Sequence, residues 1–145
     1  MKRMLMLFAV LFAFAAANCY AMGKAYKEGP VSVVTSVKIK SGQDDNYLAY
    51  LDSTYKPMME EFKKAGIILS WAVYFADPHN PNEADLYLVV TYPNYASLDG
   101  LDDRTEPLME KVTKQSREQA NQSMADRGSM REILGTETIR EAILN

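Results

Sequence analysis

Residues 67–92 have the sequence IILSWAVYFADPHNPNEADLYLVVTY, and this stretch decides the fold. In residues 67–75 and again in residues 85–92, apolar side chains recur at every second position, which is the pattern of a half-buried β-strand. Residues 76–84 between them include two prolines and two asparagines, a composition typical of a loop. The stretch therefore predicts a long hairpin of two antiparallel strands.

The chain before the hairpin predicts one strand and one helix. Residues 31–40 alternate between apolar and polar side chains, as a half-buried strand does. Residues 44–65 carry an apolar stripe at helical spacing. Pro57 lies inside this stripe and is expected to kink the helix or to split it, because proline lacks the amide hydrogen that the helix needs.

The chain after the hairpin predicts a second helix and a last strand. Residues 106–127 carry only a thin apolar stripe, so much of this helix should face solvent. Residues 130–144 predict an extended segment with a bulge or bend at Gly135. The residues of this strand expected to point to the core are Leu134, Ile139 and Ile143.

The order β-α-β-β-α-β predicts an α+β fold of the ferredoxin-like type, with a four-stranded antiparallel sheet covered on one face by both helices. The opposite face of the sheet has a mixed composition, neither apolar enough for a dry core nor charged enough for plain solvent. Such a surface predicts a homodimer in which two sheets pack face to face. The residues assigned to it are Ser36, Lys38, Ser70, Ala72, Tyr74, Tyr87, Val89 and Thr91.

The N-terminus has the pattern of an export signal. Lys2 and Arg3 precede an apolar run over residues 4–17, and Cys19-Tyr20-Ala21 suits cleavage after Ala21. The expected organisation is a signal peptide over 1–21, a flexible lead-in over 22–30 and one domain over 31–145, in a periplasmic or secreted protein. Lipidation of Cys19 is an alternative that Asn18 disfavours, and an uncleaved anchor is another.

Composition limits the partners of the mature chain. Removal of the signal takes the formal charge from −3 to −5, which argues against a nucleic-acid partner. No second apolar span follows the signal, so stable membrane insertion after cleavage is not expected. Cleavage after Ala21 would also remove the single cysteine.

Three segments give the chain a resemblance to the dimeric α/β-barrel group of ferredoxin-like proteins, over essentially the whole mature length. They are residues 37–42 with the following Tyr47-Leu48, residues 86–96, and the last strand around Arg131 and Arg140. The resemblance implies that two sheets pair into a barrel with the helices outside. It also implies a cavity between each sheet and its helices.

Members of this group include cofactor-free monooxygenases, haem-degrading enzymes and lactone isomerases. The haem-degrading members use a tryptophan, an asparagine and a histidine. Trp71 and His79 are present here, but their spacing does not match that pattern, so the resemblance assigns no catalytic residue.

The weak candidates for ligand contact are aromatic. Trp71 and several of the nine tyrosines, among them Tyr47, Tyr55 and Tyr87, are able to hold an aromatic ligand by stacking. The alternative is that they fill the core and the dimer interface.

Two further candidates are polar. His79 is the only histidine; it is either a general base or an ordinary exposed loop residue. Arg131 is expected near Lys38, Lys40 and Arg140, where the group either binds a carboxylate or phosphate or pairs with neighbouring glutamates. No cofactor and no metal are expected.

The sequence places a ligand, if one binds, between Trp71, the turn at residues 55–58 and the second helix, where Pro57 loosens the packing. Methionines such as Met58 are alternatively flexible enough to fill that space. The preferred function is a binding or assembly module for a small apolar or aromatic molecule. The alternative is a cofactor-independent monooxygenase or isomerase acting on a small aromatic or lipid-like substrate.

Overall fold

The structure, a computed structural model, describes residues 25–145; the predicted signal peptide lies outside these residues. The described chain forms two compact units, a large one of Gly29–Glu141 and a small one that contains Ala142–Asn145. In chain order the elements are β1 (Tyr26–Ile39), α1 (Asp44–Tyr50), a π-helical turn (Leu51–Tyr55), α2 (Lys56–Lys64), β2 (Ser70–Phe75), β3 (Leu86–Tyr92), a 3-10 turn (Tyr95–Leu98), α3 (Leu101–Thr113), α4 (Arg117–Arg127) and β4 (Arg131–Leu144).

The four strands form one sheet in the order β2-β3-β1-β4. β3 runs antiparallel to both of its neighbours, and Val90 lies opposite Val33 on β1 and Trp71 on β2. The predicted α+β, ferredoxin-like fold class is therefore confirmed. β1 begins at Tyr26, so it includes the last residues of the segment predicted as a flexible lead-in.

Two clusters of buried side chains lie between the sheet and the helices. The first is formed by Met59, Phe62, Ile67, Ile68 and Tyr92. The second is formed by Val37, Tyr47, Leu51 and Leu86. The strand residues of both clusters belong to the face that the alternating pattern predicted as apolar, because successive side chains of a strand point to opposite faces.

The first helix is split as the position of Pro57 predicted. α1 and α2 are separated by the π-helical turn, and the amide of Lys56 donates to the carbonyl oxygen of Leu51, five residues earlier. The wider turn lies directly before the proline, whose missing amide hydrogen leaves the helix one bond short. The apolar stripe predicted for one continuous helix is therefore divided between two helices, whose apolar faces point in slightly different directions.

The second helix was predicted as one segment over 106–127, and this prediction is wrong. Lys114 adopts a left-handed conformation (φ 57°) that ends α3, and Ser116 begins α4. Ser116 and Gln119 form a capping box, in which each side chain accepts a hydrogen bond from the other residue's backbone amide. α4 contains no buried residue, in agreement with the thin apolar stripe.

The prediction that three residues of β4 point to the core is also wrong. Leu134, Ile139 and Ile143 are 40%, 50% and 44% exposed. β4 is the edge strand next to β1, and almost all of its residues are exposed. An apolar edge strand of this length is a surface on which other chains can pair.

Asp85, which precedes β3, anchors the loop of the hairpin to β1. One carboxylate oxygen accepts from Lys38 Nζ at 2.7 Å and the other accepts from the Ile39 amide at 2.8 Å. Burial acts to raise the pKa of this carboxyl, but the two hydrogen bonds and the charge of Lys38 outweigh it and hold the pKa below 3.8.

We expect Asp85→Asn to lower the free energy of unfolding by about 1–2 kcal/mol at pH 7. Because the folded-state pKa is depressed, this stabilisation is complete above pH 3.8 and is lost as the pH falls through the folded-state pKa. Urea denaturation of both proteins at pH 7 and pH 2 measures it. A difference between the two proteins that stays constant across this range would contradict the assignment.

Candidate ligand cavity

A cavity of about 540 Å³ lies between the first helical segment and the pair α3–α4. No strand residue and no buried member of the two core clusters lines it, but Met58 and Met109 also pack against the first cluster, and Tyr50 and Met130 against the second. The lining residues are Tyr50, Thr54, Met58, Asp102, Glu106, Met109, Glu110, Thr113, Gln115, Arg117, Ala120, Asn121, Ser123, Met124, Asp126, Arg127 and Met130.

The broken helices create this space. Tyr50, Thr54 and Met58 follow one another at intervals of four residues and form one wall. α3 is held to the core through Leu101, Leu108 and Met109, which pack on the first cluster. The left-handed residue after α3 redirects the chain, so α4 covers the opening without burying a side chain of its own.

Four methionines supply most of the apolar lining, namely Met58, Met109, Met124 and Met130. The methionine side chain is unbranched and polarisable, so it adapts to ligands of different shape. The sequence suggested that methionines fill the gap in the helical layer; in the structure these four surround an open volume. Met59, their neighbour in sequence, is instead buried in the first core cluster.

A stack of two arginines and two tyrosines runs from the cavity to the start of β4. The guanidinium of Arg127 lies 5.1 Å from the centre of the Tyr50 ring, and that of Arg131 lies 5.7 Å from the centre of the Tyr47 ring. The two rings are stacked with centres 6.0 Å apart. Cation–π contacts of this kind contribute about 0.5–2 kcal/mol each, depending on burial.

The buried phenols of Tyr47 and Tyr55 are neutral under ordinary conditions. Burial raises the pKa of Tyr47, and the nearby charge of Arg131 only partly opposes the shift. Burial also raises the pKa of Tyr55 far above its usual range. Tyr47 therefore offers an uncharged ring face to Arg131.

The predicted site residues fall in several places. Of those predicted, Met58 lines the cavity. Trp71 contacts Tyr55 edge to face, with ring centres 5.9 Å apart, and Trp71 Nε1 donates to Glu60 Oε1 at 2.8 Å. Both aromatics pack against the first core cluster, and neither lines the cavity, which Met58 and the second helical region border.

The other predicted residues are further apart. Tyr47 is buried in the second core cluster under Arg131. Tyr87 lies on the open face of the sheet, opposite Ser36 and Tyr74. The side chain of His79 is 94% exposed in the hairpin loop, where Glu83 is its neighbour. The predicted cationic group does not form: Lys38 pairs with Asp85, and the guanidinium of Arg140 lies over the Tyr95 ring.

Most of the lining was not predicted as a site, and Arg127 and Met130 are among the residues that the sequence analysis missed. The signal was present in the sequence, because Ser116 followed by Gln119 three residues later is the pattern of a helix start. A separate helix beginning there places Arg117, Ala120, Met124 and Arg127 on one face. Because residues 106–127 were predicted as one helix, the face of residues 117–127 was not considered as a separate surface that could line a cavity.

The described part of the chain gives no sign of a metal site, since no three histidine, cysteine, aspartate or glutamate side chains are grouped to hold an ion within residues 25–145. Over the same residues, none of the helices has the length and apolar character to cross a membrane.

Comparison with known proteins gives matches in structure alone. No family model and no curated protein matches the sequence. The crystal structure of HapK from Hahella chejuensis is similar with a TM-score of 0.50, at 10% identity, over 77% of this chain and 91% of HapK. A dimeric ferredoxin-like protein from an uncultured marine organism is similar with a TM-score of 0.51, at 12% identity, over 82% of this chain and 98% of that protein.

This chain has the fold of the dimeric ferredoxin-like proteins. The likeness agrees with the strand order and with the family resemblance that the sequence indicated. At identities of 10% and 12% it concerns the fold. The chemistry of the cavity has to be argued from the side chains of this chain.

Proposed function

We propose that this chain is an exported, homodimeric module that binds a small, largely apolar molecule in the cavity between its helices. The observation that carries the proposal is the open, methionine-lined volume of about 540 Å³. Ligand sites typically have volumes of about 300–1,000 Å³, with mostly apolar walls and a few polar groups that orient the ligand. Four methionines and Tyr50 supply such walls here.

The packing around Trp71 favours binding over catalysis. An enzyme of the kind considered from the sequence would need an enclosed apolar space beside Trp71 and the tyrosines, with a polar group reaching inside. Trp71 instead packs with Tyr55 against the first core cluster and does not line the cavity. His79, the only histidine of the sequence, does not line the cavity.

The open face of the sheet supports the dimer. Val34, Val89 and Ala72 lie side by side across β1, β3 and β2 and form an apolar row. Polar rows flank it on both sides, including Ser32 and Thr91, whose hydroxyls are 2.9 Å apart. An apolar centre with a polar rim is typical of protein interfaces. The similar marine protein is described as dimeric.

The proposed export rests on the sequence of residues 1–21. N-terminal sequencing of the protein recovered outside the cytoplasm tests it, with Met22 expected as the first residue. A lipid-bearing start at Cys19 would contradict simple cleavage after Ala21.

A neutral fluorescent probe, N-phenyl-1-naphthylamine, tests the proposed function. We expect saturable binding of one probe per chain with an increase in probe emission, because an apolar guest moves from water onto the methionine and tyrosine surface of the cavity. Isothermal titration of the same probe provides the stoichiometry independently. Absence of saturation up to the solubility limit of the probe would refute the proposal.

A further inference from the structure

We infer that the ligand is an apolar carboxylic acid whose carboxylate binds to Arg127 at the edge of the methionine-lined cavity. This inference rests on the proposed function and adds to it the charge and the orientation of the ligand. The relevant groups are Arg127, the ring of Tyr50 that supports it, and the acidic residues that share the lining.

Arg127 is a cation without an anionic partner in the part of the chain that the structure describes. Its guanidinium is half-buried over Tyr50, and its Nε–H is out of reach of solvent and donates to no acceptor among those residues. A guanidinium that is partly withdrawn from water gains from a carboxylate, which accepts two parallel hydrogen bonds from it. The planar group is already oriented by the ring, so little conformational freedom is lost on binding.

The other charged groups of the lining have partners or are well hydrated. Arg117 lies 3.4 Å from Glu106, and Asp126 accepts a hydrogen bond from Gln122 at 3.2 Å. Asp102, Glu110 and Asp126 are exposed, so water solvates their carboxylates without a ligand. Arg127 is therefore the charged group of the lining that a ligand would complement most.

The acidic groups also limit the charge of the ligand. The lining contains four carboxylates and two arginines. A dianionic head such as a phosphate monoester would be repelled more strongly by the carboxylates than a single carboxylate would. An acid with one carboxylate placed at Arg127 and an apolar body among Met124, Met130 and Met58 fits the distribution of charge.

The two arginines of the stack have different roles. Arg131 does not line the cavity, and its guanidinium lies over Tyr47 behind the Tyr50 ring. Arg131 is therefore a positioning residue that adds positive potential behind the stack. The sequence analysis chose Arg131 as an anion-binding candidate, and the structure connects it to Arg127 through the two tyrosines.

The test compares two probes of equal length, dodecanoate and dodecan-1-ol, by isothermal titration of the mature protein. We expect dodecanoate to bind about 10-fold more tightly than the alcohol, since a charge-assisted hydrogen bond distinguishes them. Arg127→Met should remove this preference, so that the acid and the alcohol bind to the variant with affinities within about 2-fold of each other. Arg127→Lys should retain part of the preference, because the charge remains but the planar fork is lost.

The control variant is Lys111→Met, which removes one positive charge from α3 outside the cavity, where Lys111 pairs with Glu61. It should preserve the preference for the acid. A second pair, 2-naphthoate and 2-naphthalenemethanol, shows whether the body of the ligand is aromatic or aliphatic.

The outcomes separate this inference from the proposed function. Equal binding of the acid and the alcohol, or an unchanged preference in Arg127→Met, would overturn the inference while the cavity remains a binding site. Tighter binding of dodecyltrimethylammonium than of dodecanoate would overturn it as well, since the acidic residues would then select the ligand. Failure of both twelve-carbon probes and of both naphthyl probes to bind would refute the proposed function itself.

Discussion

Replacing Ala120 with tryptophan is expected to lower the affinity for N-phenyl-1-naphthylamine at least 100-fold. Ala120 lines the cavity from the middle of α4, between Arg117 and Met124. An indole at this position occupies the volume into which the probe would bind. α4 has no buried residue, so the helix can accept the larger side chain without a strained core.

The matched control is Ala125→Trp on the same helix. Ala125 is exposed and does not line the cavity, so the added indole should leave the affinity for the probe unchanged. Both variants carry the same substitution at a helical alanine, and circular dichroism checks that both retain their helix content. Equal probe binding by Ala120→Trp and the unaltered protein would show that the probe binds elsewhere.

Replacing Val89 with aspartate is expected to weaken the homodimer at least 100-fold. Val89 is at the centre of the apolar row, between Val34 and Ala72. In a face-to-face dimer the new carboxylate would be buried against apolar side chains without a partner, which costs about 3–5 kcal/mol. By the usual relation between affinity and free energy, this cost corresponds to a factor of about 100 or more.

Light scattering at micromolar concentration measures this effect. The unaltered protein should have twice the mass of the chain, and Val89→Asp should have the mass of one chain. Ser53→Asp adds the same charge at an exposed position of the π-helical turn and should remain dimeric. A monomeric unaltered protein, or a dimeric Val89→Asp, would contradict an interface on the open sheet face.

The sheet and the first helix were predictable because their signals are local. Alternation over residues 31–40, 67–75 and 85–92 identifies the strands and their faces. The split of the first helix was expected from one residue, Pro57, which lacks the amide hydrogen that a helix interior uses. Strand order then follows from the small number of topologies open to β-α-β-β-α-β.

The cavity was less predictable because it depends on a local break and on long-range packing. Lys114 carries no sequence signal for a left-handed conformation, since lysine rarely adopts one. The capping-box pattern at Ser116 can be read from the sequence. The apolar residues before and after it nevertheless keep a helical spacing, which favoured the prediction of one long helix. The cation–π contact between Arg127 and Tyr50 joins residues that are far apart in the sequence, so no periodic pattern of the sequence predicts it.

The exposure of β4 has a similar cause. Its isoleucines look like core residues when the strand is considered alone, but they are 41%, 50% and 44% exposed in the structure. The position of β4 at the sheet edge follows from topology, but the exposure of each side chain does not. Whether such residues are buried or exposed is decided only by the three-dimensional packing of the chain.

The most direct measurement of the central claim is a titration of mature protein labelled with ¹³C at the methionine methyl groups, followed by NMR with dodecan-1-ol. The account predicts chemical-shift changes at the four cavity methionines, Met58, Met109, Met124 and Met130, that saturate together. The methyl of Met59, buried in the first core cluster, should stay unchanged and serves as the internal reference. Unchanged signals from the four cavity methionines at saturating dodecan-1-ol, or changes confined to Met59, would contradict a ligand site between the helices.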